Sequence, residues 1–542
     1  MKRLFPPPTT GWALWIAVFL LVVYPISMVV ISAIFPTAAD SRALKLEDLA
    51  TDRLTLASAN TLRLGVTVSL LSLFLGTSFA FLSVQSRAGG WIDLIMSIPF
   101  LTPPFLSSLA WSLAVGARGY FGRMGVFGEE LERLIFSFAG LSLLMAIHYA
   151  PIVYFAVRAQ IERISPSLLW AALVAGGSSW RIVGTILLPL VFPALIAGGC
   201  LAFACAIEEY GTPLVIGNRI GFPVISTEIG RIVSVYPINL TLASALASLL
   251  LALVGVVYCL GQLLQRRAKT YAKHSSHELP ALLPNWALGA LWVLLAIYAL
   301  FTLAIPYGSM LVTSLLKIIS AGPSFDNLTL AHYLQVLTGE AGGLRDALTA
   351  SFLLALAAAA FGSLLGAACA RKSAVLVGVA LIPAATPAIT LAVGFIQAWN
   401  APWTAWLPLY SSALLVALFY TVLYLPYGVQ YARAGLAAIP PSYEWAARVH
   451  GAGAVMTTRR IIAPLLLPHC CAGAILIFSI SFRELIGSVL LRPPGMQTVS
   501  TFILREFDQG SPATGMALGV IATLVSLFSI SVARQLVPKA TR

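Results

Sequence analysis

Charged side chains are scarce in this chain. Only 10% of its 542 residues are Asp, Glu, Lys or Arg, whereas 59% are hydrophobic. A water-soluble domain carries more charge and a smaller apolar fraction. Apolar runs such as 12–34 and 242–264 are each long enough to cross about 30 Å of hydrocarbon as a helix. The composition therefore predicts an integral membrane protein.

The sequence also lacks the motifs that identify common enzymes and metal proteins. It contains no GxxxxGK[ST] phosphate loop, no HExxH, no GxSxG and no CxxC pair. Its six cysteines lie in or beside apolar segments, where we expect them to serve as small packing residues. We therefore predict no catalytic residue, no metal site and no cofactor in this chain.

The net charge of +13 does not predict nucleic-acid binding. The basic residues cluster beside apolar runs, as at Arg158, Arg163, Arg371, Lys372 and Arg433. If the N-terminus lies in the cytoplasm, these clusters all fall on the cytoplasmic side, as the positive-inside rule requires. An even number of spans would return the C-terminus to the same side, so both termini are predicted to be cytoplasmic.

Apolar windows predict about twelve transmembrane helices in an all-α polytopic membrane protein. The predicted spans are 12–34, 61–84, 91–115, 137–157, 188–210, 241–263, 286–310, 347–370, 374–398, 409–432, 465–488 and 514–533. Prolines within the third and ninth spans are candidates for helix kinks; they are Pro99, Pro103, Pro104, Pro383 and Pro387.

The chain contains an internal duplication. The stretch SLLWAALVAG at 167–176 recurs as SYEWAARVHG at 442–451, an offset of 275 positions, and IPFLTPP at 98–104 matches IPAATPA at 382–388. Two repeats of six spans have parallel topology. We predict a first half at 1–264, a cytoplasmic linker at 265–285 and a second half at 286–542.

The duplicated stretch is predicted to form a short cytoplasmic helix. In each copy a serine, Ser167 or Ser442, is suited to cap its start, and a glycine, Gly176 or Gly451, is suited to a left-handed C-terminal cap. Two adjacent alanines allow close approach of another surface. Nine residues after the glycine, an I-x-x-P stretch with its proline is expected to begin the next span.

These residues resemble the cytoplasmic signature of the inner-membrane permeases of binding-protein-dependent ABC importers, which reads E-A-A, three residues, G, nine residues, I-x-L-P. Trp170 and Trp445 stand at the Glu position, and Glu444 lies one place earlier in the second copy only. The resemblance implies a type I ABC importer permease fold with one ATPase-coupling helix in each half. The implied coupling residues are Ser167, Trp170, Ala171, Ala172, Gly176, Ile186, Pro189, Ser442, Glu444, Trp445, Ala446, Ala447, Gly451, Ile461 and Pro464.

The resemblance also implies partners and a location. Two copies of a cytoplasmic ATP-binding subunit would hold ATP and Mg, and a periplasmic or extracellular solute-binding protein would deliver the solute. The chain itself would be a non-enzymatic, multi-pass subunit in the lipid bilayer of the bacterial cytoplasmic (inner) membrane.

The transported solute is less well defined by the sequence. The segment 481–503 resembles the fused two-half permeases of the ferric-iron and thiamine type, so ferric iron is the expected solute. Thiamine, a polyamine and aminoethylphosphonate stay open as alternatives within the same importer class. An ion-coupled secondary transporter, which can also have twelve spans in two parallel halves, is the alternative outside that class.

Four charged residues are expected near the outer ends of the fifth and eleventh spans: Glu208, Glu209, Arg483 and Glu484. Charges at membrane depth are costly and are therefore candidates for the translocation path. Glu209 and Glu484 are related by the 275-residue offset, so they could form an acidic gate. The alternative is a structural ion pair between Arg483 and one of the glutamates.

Overall fold

The computed structural model describes residues 11–35, 51–100, 102–116, 128–267, 280–338 and 343–536. Most of the predicted linker and both ends of the chain lie outside these ranges. Within them the structure is helical, with a lone antiparallel bridge between Leu316 and Leu328. Ten helices are long and apolar enough to cross a membrane, and two bent helix pairs pass the same test. The predicted all-α fold with about twelve spans is confirmed.

The twelve candidate spans are numbered α1 to α12 in chain order. Those of the first repeat are α1 (Gly11–Ile34), α2 (Asp52–Gln85), α3 (Gly89–Pro99 with Pro104–Val115), α4 (Phe138–Ile161), α5 (Ser179–Glu208) and α6 (Leu240–Leu264). Those of the second are α7 (Asn285–Leu315), α8 (Leu344–Ala370), α9 (Ala374–Ala385 with Ala388–Trp399), α10 (Ala413–Ala438), α11 (Ala454–Ser481) and α12 (Pro512–Ala533).

The predicted kinks in the third and ninth spans are present and sharp. The two parts of α3 meet at 87° and those of α9 at 110°. Proline lacks the backbone N–H and clashes with the preceding helical turn, and the prolines of each span lie at its break. The hydroxyl of Thr386 donates to the carbonyl of Ile382 (3.1 Å) beside the break in α9. Part of the backbone freed by the bend is thereby satisfied.

Four spans contain a five-residue π-helical segment that ends two residues before a proline. A proline ring clashes with the carbonyl four residues earlier, and the wider π turn is one way for a helix to accommodate it. α5 and α11 therefore run through Pro189 and Pro464, and the prediction that these prolines begin the spans is wrong. The π segments are Phe19–Val23, Val183–Leu187, Leu300–Ala304 and Thr458–Ile462.

The chain forms two compact units that do not follow the sequence halves. One unit comprises Met1–Asp48, Ile229–Leu251 and Leu330–Arg542, and the other comprises Leu49–Glu228 and Ala252–Thr329. The core of the first combines Val18, Val22 and Met28 of α1 with apolar residues of α8 to α10. The core of the second combines Leu295 and Tyr298 of α7 with α2 to α5. The first span of each repeat thus packs with the later spans of the other.

Direct contacts hold α1 and α7 in these positions. The Tyr24 hydroxyl of α1 donates to the carbonyl of Ala398 (2.9 Å) in α9. Gly394 permits this packing, because a Cβ there would lie 2.4 Å from the carbonyl oxygen of Pro25. In the other unit the Tyr298 hydroxyl of α7 donates to the carbonyl of Ile147 (2.9 Å). The predicted division of the chain into two halves joined by a linker at 265–285 follows the sequence repeats and stays a prediction.

Candidate functional site

Each copy of the duplicated stretch forms a nine-residue helix, which we name coupling helix 1 (Pro166–Val174) and coupling helix 2 (Pro441–Val449). Both begin with a proline, whose missing N–H costs nothing at the first helical position. Ser167 and Ser442 therefore lie inside the first turn, and the N-cap position falls two residues before each serine. The predicted capping role of the two serines is wrong, because each proline starts its helix earlier.

A glycine in left-handed conformation ends each coupling helix, as predicted. Gly176 has φ +80° and Gly451 has φ +74°. The N–H of Gly176 donates to the carbonyl of Leu173 and that of Gly177 to the carbonyl of Ala172, both at 3.0 Å. Two equivalent bonds of 2.9 Å close coupling helix 2. This pattern is a Schellman cap, in which glycine avoids the strain of positive φ.

Each coupling helix exposes the same apolar ridge. Trp170 and Val174 are 52% and 87% exposed, and their counterparts Trp445 and Val449 are 53% and 84% exposed. Residues four apart share a helix face, so each tryptophan lies beside its valine. Ala171 and Ala446 are exposed next to the tryptophans. Paired large apolar side chains on a short connecting helix are typical of a surface that a partner covers.

The inner faces of the two coupling helices differ. Leu169 is fully buried in the apolar core of its unit. Its counterpart in the second repeat is Glu444, which is 9% exposed and lies 3.8 Å from the Nη2 atom of Arg371. Arg371 also donates from Nη1 to the hydroxyl of Thr458 (2.8 Å). Glu444 is therefore turned inward, away from the exposed ridge.

The residues that follow each coupling helix lie inside the next span. Ile186 belongs to the π segment of α5 and Ile461 to that of α11, and both are partly buried. Pro189 and Pro464 are exposed on the first α-helical turn after each π segment. The signature spacing therefore marks a helical irregularity at the same position in both repeats.

Glu209 and Glu484 act as backbone caps just beyond α5 and α11. The Oε1 atom of Glu209 accepts hydrogen bonds from the amides of Gly211 and Thr212, each at 3.1 Å, and its Oε2 atom accepts one from the Tyr149 hydroxyl at 2.8 Å. Carboxylates at the start of a helical segment satisfy amides that have no helical partner. Here the carboxylate holds the turn that leaves α5.

The symmetry-related glutamate does the same in the second repeat. Glu484 accepts hydrogen bonds from the amides of Ile486 and Gly487, both at 2.8 Å, and of Ser488 at 3.3 Å. Sequence reasoning paired the two glutamates correctly but missed this capping role. The available signal was the glycine and small polar residues that follow each glutamate, which suit a tight turn.

Glu208 and Arg483 occupy the neighbouring positions. Glu208 is the last residue of α5, and Arg483 lies two residues beyond the end of α11; both side chains are partly buried. The acidic gate and the structural ion pair both stay hypotheses for these four charges. The hydrogen bonds from backbone amides to Glu209 and Glu484 indicate a third role, in which the two carboxylates cap the turns that follow α5 and α11.

The described architecture agrees with a sequence profile for the binding-protein-dependent transport system inner membrane component. The profile matches residues 71–270 and 358–542, which together are more than half of the chain, with one match in each repeat. The chain belongs to this family. As a member it is a multi-pass transport subunit of the inner membrane and not an enzyme. The family imports solutes with ATP, so the alternative hypothesis of an ion-coupled secondary transporter is rejected.

Two reported relatives resemble this permease over most of its length, and a third resembles it over a shorter part. The ferric transport system permease protein FbpB of Actinobacillus pleuropneumoniae is 24% identical over 532 residues, or 94% of this chain and 75% of the relative. A putative ferric transport system permease protein FbpB 1 of Haemophilus influenzae is 25% identical over 483 residues, or 85% and 74%. The molybdenum transport system permease protein ModB of Escherichia coli is 32% identical over 155 residues, or 28% and 66%.

Proposed function

We propose that this permease imports ferric iron, which a solute-binding protein delivers at the outer face. Two copies of an ATP-binding subunit would dock on coupling helices 1 and 2 at the cytoplasmic face and supply ATP and Mg. Both chain termini would lie on that cytoplasmic side. The observation that supports the proposal is the similarity of this chain to two ferric permeases, over 94% and 85% of its length.

The apolar ridges support the docking part of the proposal. Trp170 with Val174 and Trp445 with Val449 form two matched surfaces, as expected if identical ATPase subunits bind both. The Schellman caps fix where each ridge ends. Because Glu444 faces inward beside Arg371, the contact with the ATPase would be mainly apolar, and moderate salt should not detach the subunit.

The expected solute can be tested directly in proteoliposomes. The permease would be reconstituted with its ATPase and its binding protein and supplied with radioactive iron or molybdate. We expect ATP-dependent uptake of iron that needs the iron-loaded binding protein. Uptake of molybdate instead of iron would contradict the proposed solute.

The glycine caps give a second prediction. Replacing Gly176 and Gly451 by valine should weaken ATPase attachment by about tenfold, because a non-glycine residue at positive φ costs at least about 1–2 kcal/mol. Apart from the glycine itself and its chain neighbours, no heavy atom lies within 4 Å of a Cβ built at either position, so the Cβ causes no packing clash and the cost arises from the backbone conformation. The measurement is co-purification of the ATPase with the permease at equal membrane insertion.

Gly453 provides the matched control for these variants. It also has open space around its Cβ position, but its φ of −72° suits any residue. Gly453→Val should leave attachment unchanged. If Gly176→Val and Gly451→Val retain the ATPase as well as this control does, the caps are not required for docking.

A further inference from the structure

The two repeats hold their coupling helices with different chemistry. Residues 62–76 of α2 align with 348–362 of α8 at an offset of 286, so along these helices Arg371 corresponds to Gln85. At the offset of 284 that relates 98–104 to 382–388, Arg371 corresponds to Arg87, which is exposed. At the offset of 275, Glu444 corresponds to Leu169 and Thr458 to Val183. With these counterparts, Glu444 and Thr458 of the second repeat are replaced by apolar residues in the first, and Arg371 is replaced by the neutral amide of Gln85.

The polar set, which we name the bracket, consists of Arg371, Glu444 and Thr458. Its guanidinium lies 3.8 Å from the carboxylate of Glu444 and donates at 2.8 Å to the hydroxyl of Thr458. Arg371 caps the end of α8, Glu444 belongs to coupling helix 2 and Thr458 to the first turns of α11. One side chain therefore joins the coupling helix to the ends of two spans.

The first repeat has no such charge at these positions. Leu169 is fully buried, and Val183 is half-buried against the same core. Gln85 is used elsewhere: its Nε2 atom donates to the carbonyl of Pro280 (3.0 Å), and its Oε1 atom accepts from the amide of Leu282 (2.6 Å). Gln85 thereby fixes the chain that leads into α7, while coupling helix 1 rests on apolar contacts.

These two arrangements differ mechanically. A partly buried ion pair with a hydrogen bond is directional, and breaking it by removing one partner leaves an uncompensated charge. An apolar contact has no preferred direction. We propose that Arg371 is a positioning residue that fixes coupling helix 2 to α8 and α11. The two ATPase docking sites then differ, because directional polar contacts hold coupling helix 2 and apolar contacts hold coupling helix 1. This inference rests on the proposed docking function.

The test replaces the bracket by the residues of the first repeat. The triple variant Arg371→Gln, Glu444→Leu and Thr458→Val removes both charges of the ion pair together. In proteoliposomes with the ATPase and the loaded binding protein, we expect solute uptake per ATP hydrolysed to fall about fivefold, the lower range of coupling effects between sites. Attachment of the ATPase should persist, because the exposed ridge is unchanged.

A rescue experiment separates positioning from a general structural role. Glu444→Gln alone should lower the uptake per ATP, and the charge exchange Arg371→Glu with Glu444→Arg should restore most of it, since the Thr458 hydroxyl can donate as well as accept. Arg433→Gln removes an exposed base from the same unit and should leave the ratio unchanged.

Two results would overturn the inference. The first is a triple variant with the wild-type ratio of uptake to hydrolysis. The second applies if the triple variant is not recovered from membranes: a charge exchange that restores nothing relative to Glu444→Gln. Failure of the proposed function is distinguishable from both, because the wild-type assembly would then show no ATP-driven uptake or would not bind the ATPase.

Discussion

Truncation of both exposed tryptophans, Trp170→Ala with Trp445→Ala, is expected to abolish stable ATPase attachment. Tryptophans at the centre of protein interfaces contribute about 2 kcal/mol or more each, so the two losses together should weaken binding by about 700-fold. Both side chains are about half-exposed in the permease, so their loss should cost little stability. The measurement is ATPase retained by the purified permease at increasing dilution.

Trp406→Ala is the control for this experiment. Trp406 is also exposed but lies in the connection between α9 and α10, away from both coupling helices in the sequence. It should retain the ATPase fully. If the double tryptophan variant binds as tightly as this control, the apolar ridges are not the docking surfaces.

Neutralising the two capping carboxylates, Glu209→Gln with Glu484→Gln, is expected to lower thermal stability and uptake together. Hydrogen bonds to charged groups contribute about 1.5–3 kcal/mol each. A glutamine amide keeps one acceptor oxygen and turns an NH₂ group toward backbone donors, so part of each cap is lost. The measurement is the thermal unfolding temperature of the detergent-solubilised chain beside uptake by proteoliposomes.

Glu208→Gln is the neighbouring control. It removes the same charge next to Glu209, but the amides of Gly211 and Thr212 bond to Glu209. Its unfolding temperature should change less than that of the double variant. Lost uptake with an unchanged unfolding temperature in the double variant would contradict the capping role and favour an acidic gate.

Local patterns in the sequence were sufficient for the spans and the glycine caps. Hydrophobic runs define a membrane helix regardless of its neighbours, and positive φ at Gly176 and Gly451 depends only on the adjacent backbone. The same local reasoning placed the starts of α5 and α11 at Pro189 and Pro464. It failed there because a π turn lets a helix run through a proline, a possibility that spacing alone does not reveal.

Tertiary features were beyond sequence reasoning. The packing of α1 with α9 depends on contacts such as Tyr24 with Ala398, which are 374 positions apart. From the sequence, Arg371 was interpreted only as a basic residue on the cytoplasmic side of the membrane. Its partner Glu444 is 73 positions away and comes close only in the folded chain. The offset of 286 between α2 and α8 was visible in the sequence and pairs Arg371 with Gln85, whereas the offset of 284 that follows pairs it with Arg87, so the sequence did not define one counterpart.

The central claim is that both coupling helices face the cytoplasm and carry the ATPase. Its most direct test places single cysteines at Val174 and Val449, the most exposed positions of the two ridges, in a chain whose six cysteines are changed to alanine. A membrane-impermeant thiol reagent should label both positions in inside-out vesicles, neither in right-side-out vesicles, and neither once the ATPase is bound. Labelling of the two positions from opposite sides of the membrane, or equal labelling with and without the ATPase, would contradict the claim.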